Sequence, residues 1–422
     1  MRVHSPLVDD FQTVTRDRPR YIIGRASAKS PAILSLRTHA ARVRIMARFR
    51  KVLRCGALVI GLLLLVVGVP LALVLSHDSA CSAAPPLRAD ATLMKGVAYR
   101  CYGSPEVLRL ENIEKPVADD DQVLVKVHAA AVNPLDFHYM HGTPYPMRLD
   151  SGIGTPKNPR LGVDFAGTVE AVGKNVRKFK PGDEVFGGRN GAFGEYVTVR
   201  EDRSIVSKPA NMTFEQAAAV PVAAITALQA LRDNGHVREG QKVLINGASG
   251  GVGTFAVQIA KAFGAEVTGV CSTKNLDMVR RIGADSVIDY TKEDFTQGGQ
   301  HYDLIVDTVG THSLLDYRRV LTAQGTLVLV GGNVDNWLLG ILGSVVYAKI
   351  LAPFITQNVG MMLAELNPAD LTTLRDLMQA GKITPVIDRT YRLDEVPEAL
   401  RYLEKGHARG KVVIRVVDDS RS

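Results

Sequence analysis

Residues 243–254 have the sequence VLINGASGGVGT, in which a short apolar run leads into a cluster of glycines. The apolar run is typical of a parallel strand covered on both faces, and the following VGTFAVQIAKAFGA is an amphipathic helix. A strand, a glycine turn and a helix in this order direct free amides and the positive end of the helix dipole at an anion. The stretch therefore predicts a binding site for the pyrophosphate of a dinucleotide, with these contact residues: Ser249, Gly250, Gly251, Val252 and Gly253.

The next strand, Glu266 to Ser272, ends without a carboxylate. A site that prefers NAD usually has Asp or Glu at this position to bind the ribose 2′-hydroxyl. Ser272 and Lys274 offer a hydroxyl and a cation, which suit a 2′-phosphate, so we expect NADPH. Further strands follow at SVIDY (286–290), YDLIVDTVG (302–310) and GTLVLVGG (325–332). Strands alternating with helices predict an α/β fold with a doubly wound parallel sheet.

The chain has 422 residues, of which 46% are hydrophobic and 22% charged, enough for two globular domains and an extension. Its net charge of +8 is concentrated at the N-terminus. The first 54 residues contain 13 Lys/Arg and 3 Asp/Glu, a charge of +10, so the remainder sums to −2. The globular part has no basic surface signal, which argues against nucleic acid as a partner.

The four cysteines, Cys55, Cys81, Cys101 and Cys271, show no paired spacing. This pattern argues against a structural zinc site and against a disulfide framework.

Residues 56–76, GALVIGLLLLVVGVPLALVLS, have no charge and are long enough to cross a bilayer as one helix. Residues 1–55 are expected to form a basic, disordered arm. The arginines before the apolar run place the N-terminus in the cytoplasm by the positive-inside rule. That orientation conflicts with a cytoplasmic NADPH pool, so the side of the catalytic domain stays open. We expect a single-pass membrane protein, with a cleaved signal peptide as the alternative.

From Met94 the chain alternates apolar and polar residues in short strands, as in a small antiparallel barrel. The motif order resembles the zinc-independent medium-chain dehydrogenase/reductases of the quinone oxidoreductase group (enoyl reductase domain). The matching stretches are NPLDFHYMHG (133–142), GVDFAGTVEAVGKNV (162–176), GDEVFG (182–187), GAFGEYVTV (191–199), AAAVPVAAITALQAL (217–231), the glycine turn, and EKGHARGKVVIRV (404–416).

The resemblance implies a GroES-like, β-rich catalytic domain at 94–216 and 351–417, with a Rossmann NADPH-binding domain inserted at 217–350. It also bears on metal. Zinc alcohol dehydrogenases have a Cys ligand where this chain has Asn133 and a His ligand where it has Val163. Neither side chain replaces those ligands on zinc, so we expect metal-free chemistry.

Metal-free hydride transfer requires an acceptor that is already electron-poor, such as a quinone or an activated alkene. We expect a small hydrophobic substrate of this kind. By resemblance, Asn133, His138 and Tyr139 face the nicotinamide and are the candidate hydrogen-bond or proton donors. Tyr290, His407 and Arg409 match positions that touch NADPH in mitochondrial members. The motifs leave open an enoyl-thioester or 2-alkenal reductase, and a non-catalytic NADPH-binding module.

The apolar stretch 336–355, NWLLGILGSVVYAKILAPFI, departs from the rest of the pattern. Core packing and contact between the subunits of a homodimer are one interpretation. A cover over the substrate cleft, or a surface that dips into a membrane, is the other.

Overall fold

The computed structural model describes Gly56, residues 64–330 and residues 356–417. The chain divides into two compact units, Met1–Pro70 and Leu71–Ser422. The apolar stretch 336–355 and most of the basic arm lie outside the described residues, so the predictions made for them stay predictions.

The second unit contains every described strand. In chain order these are β1 (Leu93–Ala98), β2 (Arg109–Glu114), β3 (Gln122–Val132), β4 (Asp164–Val172), β5 (Glu184–Gly188), β6 (Tyr196–Arg200), β7 (Ile205–Ser207), β8 (Lys242–Asn246), β9 (Glu266–Cys271), β10 (Ser286–Asp289), β11 (Tyr302–Asp307), β12 (Leu321–Leu329), β13 (Asn358–Met361), β14 (Ile387–Arg392) and β15 (Lys411–Arg415).

The described α-helices are α1 (Val69–Ser76), α2 (Pro134–His141), α3 (Arg148–Ser151), α4 (Phe214–Ala218), α5 (Pro221–Gln229), α6 (Gly251–Ala262), α7 (Leu276–Arg281), α8 (Leu314–Val320), α9 (Pro368–Gln379) and α10 (Val396–Glu404).

One sheet is entirely parallel and has the order β10-β9-β8-β11-β12-β13. Numbered from β8, this is the 3-2-1-4-5-6 order of a doubly wound dinucleotide-binding fold. The chain order reverses between β8 and β11, and ligands of such folds bind at the carboxyl ends of the strands at this point. The predicted parallel α/β sheet is confirmed.

The other large sheet has seven strands in the order β14-β15-β3-β4-β5-β7, with β6 paired to β3. It therefore joins strands from both ends of the second unit, with β15 antiparallel to β3. The sequence placed residues 351–417 in this domain, but β13 pairs with β12 of the parallel sheet. The chain returns to the seven-stranded sheet at Ile387, where β14 begins and pairs with β15.

The core between the domains depends on small side chains. Helix α5 (PVAAITALQ) is buried along most of its length, with Ala224, Ala227 and Leu228 fully inaccessible. Alanines let its backbone approach α6, whose Phe255 and Ile259 are also fully buried. Each such large side chain contributes roughly 1.5–3 kcal/mol of burial free energy. This packing fixes α6 and the turn before it.

For the residues that the structure describes, the prediction of a membrane-spanning helix at 56–76 is wrong. Residues 57–63 lie outside them, and the remainder is a π-helical segment, Leu64–Gly68, followed by α1. No helix in the described residues is long and apolar enough to cross a membrane. This finding contradicts the predicted single-pass membrane location.

The prediction against disulfides is also wrong. Cys81 is bonded to Cys101, with Cα atoms 4.5 Å apart. The segment before β1 folds back on the catalytic domain, where the amide of Ser79 donates to the Gly154 carbonyl at 3.0 Å. Spacing in the sequence does not reveal this pairing because it arises from tertiary contact. Cys271 is free and buried, and burial raises the pKa of its thiol to about 11.

Candidate active site

The glycine turn (Gly247–Gly250) connects β8 to α6 at the point where the order of the parallel sheet reverses. Gly247 has a φ of +84°, which other residues rarely adopt. A Cβ on Gly253 would collide with the carbonyl oxygen of Gly247, so glycine permits this close approach. No side chain among the described residues caps the N-terminus of α6. The first amides of α6 are therefore placed to receive an anion.

Asn275 connects the glycine turn to the end of β9. Its carboxamide nitrogen donates to the Ser249 hydroxyl at 3.0 Å and to the Ser272 hydroxyl at 3.2 Å. Asn275 is 4% exposed, and its Oδ1 has no hydrogen-bond partner among the described residues. A buried acceptor of this kind is costly unless a ligand satisfies it. Sequence reasoning identified Ser249 and Ser272 but missed Asn275.

Lys274, beside this cluster, is exposed. The nearest strand end with a carboxylate is that of β10, where Asp289 accepts from the hydroxyls of Thr273 and Thr291. Hydrogen bonding from Thr273 lowers the pKa of Asp289 to about 2. The end of β9 itself thus presents hydroxyls, an amide and a cation.

The other predicted cofactor residues lie on two loops. Gly410 donates its amide to the Ser249 carbonyl at 2.9 Å, which brings the exposed loop containing His407 and Arg409 to the glycine turn. Tyr290 is 57% exposed, and its amide donates to the Cys271 carbonyl at 3.1 Å. Both loops therefore border the carboxyl ends of the central strands. The contacts of these side chains with a dinucleotide stay predictions.

A buried polar network formed by Asn133, Asp136, Asp164 and Lys411 lies where β3, β4 and β15 meet α6. Lys411, 3% exposed, donates to Asn133 Oδ1 at 2.6 Å and to Asp164 Oδ2 at 3.2 Å. The Asn133 carboxamide in turn donates to Asp164 at 2.9 Å and to the Ala131 carbonyl at 3.4 Å.

These contacts bear directly on the predicted role of Asn133. Both of its amide hydrogens and its carbonyl oxygen are used inside the protein, and the residue is only 2% exposed. In this arrangement Asn133 does not offer a free donor to a substrate. Asn133 instead hydrogen-bonds to both Asp164 and Lys411 and so holds these two side chains in place. The signal that could have indicated Lys411 is a lysine at the start of the apolar strand KVVIRV.

A cavity of about 120 Å³ opens beside the network. Tyr139, the third candidate donor, lines it together with Tyr99, Asp136, Arg160, Val163 and Asn190. Burial raises the pKa of the Tyr99 and Tyr139 phenols, so both hydroxyls are protonated at neutral pH. The cavity thus brings Tyr139 to Val163, the position matched to a zinc ligand in alcohol dehydrogenases. Sequence reasoning missed Tyr99.

His138 has a different position. It lies on α2 beside Phe137, with ring centroids 4.6 Å apart, and is not among the residues that line the cavity. Burial lowers the pKa of its imidazole, which favours the neutral ring. The structure thus brings one of the three candidate donors, Tyr139, to the cavity wall.

The described residues contain no group of three or more His, Cys, Asp or Glu side chains able to hold a metal ion. At the two positions matched to zinc ligands, Asn133 is bonded to the ammonium of Lys411 and Val163 is apolar. A cation placed there would meet Lys411 and an isopropyl group. These residues do not suit zinc.

Two family models match the chain. An alcohol dehydrogenase GroES-like domain matches residues 119–210, and a zinc-binding dehydrogenase model matches residues 282–414. The mouse protein "NAD(P)H oxidoreductase RTN4IP1, mitochondrial" is 36% identical over 389 residues, covering 80% of this chain and 97% of that protein. The Arabidopsis thaliana "NADPH-dependent alkenal/one oxidoreductase, chloroplastic" is 34% identical over 361 residues, covering 80% of this chain and 84% of that protein.

Among solved structures, the quinone oxidoreductase from Coxiella burnetii aligns with a TM-score of 0.68 and 31% identity, covering 77% of this chain and all of that one. A GroES-like sheet joined to a dinucleotide-binding sheet defines the class as medium-chain dehydrogenase/reductases. Within it, the chain belongs to the quinone oxidoreductase group and is an NAD(P)H-dependent oxidoreductase.

Proposed function

We propose that this protein is an NADPH-dependent reductase that delivers hydride to a quinone or an activated alkene without a metal. The observation that supports NADPH most directly is the cluster at the end of β9. There Asn275 holds Ser249 beside Ser272, and Lys274 is exposed next to them. Hydroxyls and a cation suit a ribose 2′-phosphate, whereas an NAD site uses a carboxylate. The Arabidopsis relative is named as an NADPH-dependent oxidoreductase.

The residues present suit a dinucleotide. The uncapped first turn of α6 would hold the pyrophosphate, and the unpartnered Oδ1 of Asn275 would receive a donor from the adenosine half. Reduced nicotinamide supplies a hydride when bound. The protein then has to orient the acceptor and to stabilise the negative charge that develops on its oxygen.

The cavity is our proposed acceptor site. Tyr139 is half-buried at its wall, and its hydroxyl would donate a hydrogen bond to the carbonyl oxygen of a quinone or enone. A volume of about 120 Å³ favours a small electron-poor acceptor over a long acyl chain lying fully inside. The relatives' names include both quinone and alkenal reductases, so we group these acceptors together.

Purified protein mixed with NADPH and a panel of acceptors tests the proposal. The panel should contain a quinone, an enal, an enone, a trans-2-enoyl thioester and, as a negative control, a saturated primary alcohol with NADP⁺. We expect NADPH oxidation with the small quinone, enal or enone, and no reduction of NADP⁺ with the saturated alcohol. Tight NADPH binding without oxidation by any acceptor would show a non-catalytic binding module. Preference for the enoyl thioester would show the alternative reductase.

A further inference from the structure

The segment 77–81, which we call the strap, is attached to the catalytic domain by an ion pair and by a disulfide. The Asp78 carboxylate pairs with Arg148 Nη1 at 2.8 Å, and Cys81 is bonded to Cys101. A backbone hydrogen bond from the strap to the loop after α3 is a third attachment. The strap is therefore part of the folded catalytic domain, although it precedes β1 in the chain.

Arg148 is the first residue of α3 and is only 1% exposed, so its charge has to be neutralised inside the protein. Its guanidinium donates to the carbonyl oxygens of Gly142 at 2.7 Å and His77 at 3.1 Å, and lies 4.2 Å from the ring centroid of Tyr102. These partners carry no net charge, whereas Asp78 does. The strap thus supplies a carboxylate to a buried arginine, and an unpaired charge at such a position is strongly destabilising.

Both attachments lead to the same wall of the proposed acceptor cavity. Helix α3, which begins at Arg148, contributes Asp150 and Ser151 to that wall. On the side of the disulfide, Tyr102 directly follows Cys101, and its hydroxyl lies at a hydrogen-bonding distance of 3.1 Å from the Ser151 hydroxyl. The ion pair and the disulfide therefore hold one short helix of the cavity through two separate contacts.

The two cysteines of the disulfide differ in their access to solvent. Cys81 is exposed, whereas Cys101 is only 5% exposed. Thiol–disulfide exchange begins when a thiolate attacks an accessible sulfur, and exposed disulfides are in general the more easily reduced ones. Cys81 is thus the sulfur that a reductant can attack, and Cys101 is the leaving group.

We propose that reduction of the Cys81–Cys101 bond by a dithiol releases the strap and so weakens acceptor binding in the cavity. The inference rests on the proposed reductase function, because it takes the cavity as the acceptor site. In the reduced protein the strap is held by non-covalent contacts, among them the pair with Asp78, whose side chain is 55% exposed. Opening of the strap leaves Arg148 without this carboxylate, and α3 loses the contacts that fix its cavity residues.

The exchange balances with the dithiol as reductant. One thiolate of the dithiol attacks Cys81 Sγ, the protein S–S bond breaks, and Cys101 leaves as a thiolate that takes up a proton. The second thiol of the reductant then attacks the mixed disulfide and closes a ring, which releases Cys81 as a thiolate that is also protonated. Two electrons and two protons pass to the protein, so the dithiol is oxidised to a disulfide and both cysteines are reduced.

The test compares oxidised wild type with wild type that has been reduced with dithiothreitol, blocked with iodoacetamide and desalted, so that no accessible thiol remains to react with the acceptor. With benzoquinone or methyl vinyl ketone as acceptor, we expect reduction to raise KM roughly tenfold, within the range of about 5–150-fold that is typical of coupled sites. The kcat value and the dissociation constant of NADPH should stay the same. Cys81→Ser should show the raised KM with and without dithiothreitol.

A variant of the ion pair tests whether the strap acts through Arg148. Asp78→Ala removes the carboxylate and keeps the disulfide, so we expect a raised KM for the acceptor in the oxidised protein. Asp90→Ala, which removes an exposed carboxylate from the same segment beyond the strap, is the matched control and should leave KM unchanged. An unchanged KM in Asp78→Ala would overturn the inference.

Hydrogen exchange without acceptor provides a readout that does not depend on turnover. The Ser79 amide and the amides of residues 148–157 should exchange faster in the reduced wild type, and those of α6 should not. An equal KM in the oxidised and reduced forms, or equal exchange at these amides, would overturn the inference alone. Loss of NADPH affinity and of exchange protection throughout both domains would show general destabilisation and would also overturn it.

The oxidised wild type separates failure of the inference from failure of the proposed function. If it does not oxidise NADPH with any acceptor, the proposed function and the inference are overturned together. If Cys81→Ser does not fold, the reduced wild type and Asp78→Ala decide the question.

Discussion

The Asn275 side chain donates a hydrogen bond to the Ser249 hydroxyl at 3.0 Å, and so connects the helix after β9 to the glycine turn after β8. The same nitrogen reaches the Ser272 hydroxyl at 3.2 Å. One buried amide therefore orders the Ser249 hydroxyl, which is predicted to contact the pyrophosphate, and the Ser272 hydroxyl, which is predicted to contact the 2′-phosphate. Through Asn275, the residues that follow β8 and β9 form one continuous surface.

We expect Asn275→Ala to weaken NADPH binding about tenfold, equivalent to about 1.4 kcal/mol, because the two serines lose their common donor. Titration of cofactor fluorescence measures the dissociation constant. Asn175→Ala is the matched control, since Asn175 is an exposed asparagine whose side chain bonds Asp121 at 2.8 Å. Equal affinities for wild type and Asn275→Ala would remove this residue from the site.

A substitution at Gly251 tests whether the pyrophosphate binds at the start of α6. A Cβ at Gly251 would lie 3.4 Å from Lys411 Cδ and 3.6 Å from the Gly410 carbonyl oxygen, with no closer contact. A valine would fill the space in front of the uncapped helix amides, so we expect Gly251→Val to abolish detectable NADPH binding while the fold is retained. Gly299→Val, at a position with no atom within 4 Å of the added Cβ, should bind normally. Retained affinity in Gly251→Val would contradict the assignment of the turn.

Local sequence predicted the glycine turn well because everything it requires lies within twelve residues. The strand, the positive φ of Gly247 and the start of α6 follow from neighbouring residue types. The structural surroundings of Asn133 could not be predicted in this way. The Lys411 ammonium that binds its carboxamide is 278 residues away in sequence. Periodicity contains no information on such a pair. The sequence therefore predicted that Asn133 donates to substrate, whereas the structure shows its side chain bonded to Lys411 and Asp164.

The membrane prediction failed for a related reason. Hydropathy counts apolar residues but does not report the length of the regular helix that they form. Among the described residues this stretch is a π-helical segment, Leu64–Gly68, followed by the eight-residue α1. The Cys81–Cys101 bond was likewise hidden, because the two cysteines meet only after the segment preceding β1 folds back.

A substitution at Lys274 tests whether the protein prefers NADPH to NADH. It is exposed beside Ser272, where a 2′-phosphate would attract its ammonium. Lys274→Ala should reduce the ratio of kcat/KM for NADPH to that for NADH about tenfold, mainly through a higher KM for NADPH, since a tenfold ratio corresponds to about 1.4 kcal/mol. Lys180→Ala removes an exposed lysine from the other domain and should leave the ratio unchanged. If Lys274→Ala also leaves it unchanged, another group recognises the 2′-phosphate.

The Cys81–Cys101 bond should stabilise the catalytic domain. It closes a loop across 20 residues of sequence separation, which corresponds to about 2–4 kcal/mol in typical proteins. We expect Cys81→Ser to lower the free energy of unfolding by this amount in urea titrations. Reductant should lower the wild-type stability similarly and leave Cys81→Ser unaffected. Equal stability of wild type and variant under oxidising conditions would show that the bond does not form in solution.

The pKa of Asp136 also predicts how stability depends on pH. The unfolded carboxyl loses its proton near its ordinary pKa of about 4, whereas the folded one keeps it up to about 7 because of burial. Between these values the folded state binds more protons than the unfolded state. Stability contributed by this group is therefore complete below about pH 4, decreases as pH rises to about 7, and is constant above.

We expect Asp136→Asn to remove this slope, so that the variant gains roughly 1 to 4 kcal/mol relative to wild type between pH 4 and pH 8. Denaturant titrations at a series of pH values measure the difference. Asp90→Asn, which changes an exposed carboxyl before β1, should give a curve parallel to wild type. A wild-type curve that is parallel to that of Asp136→Asn over this range would mean that Asp136 ionises normally in the folded protein.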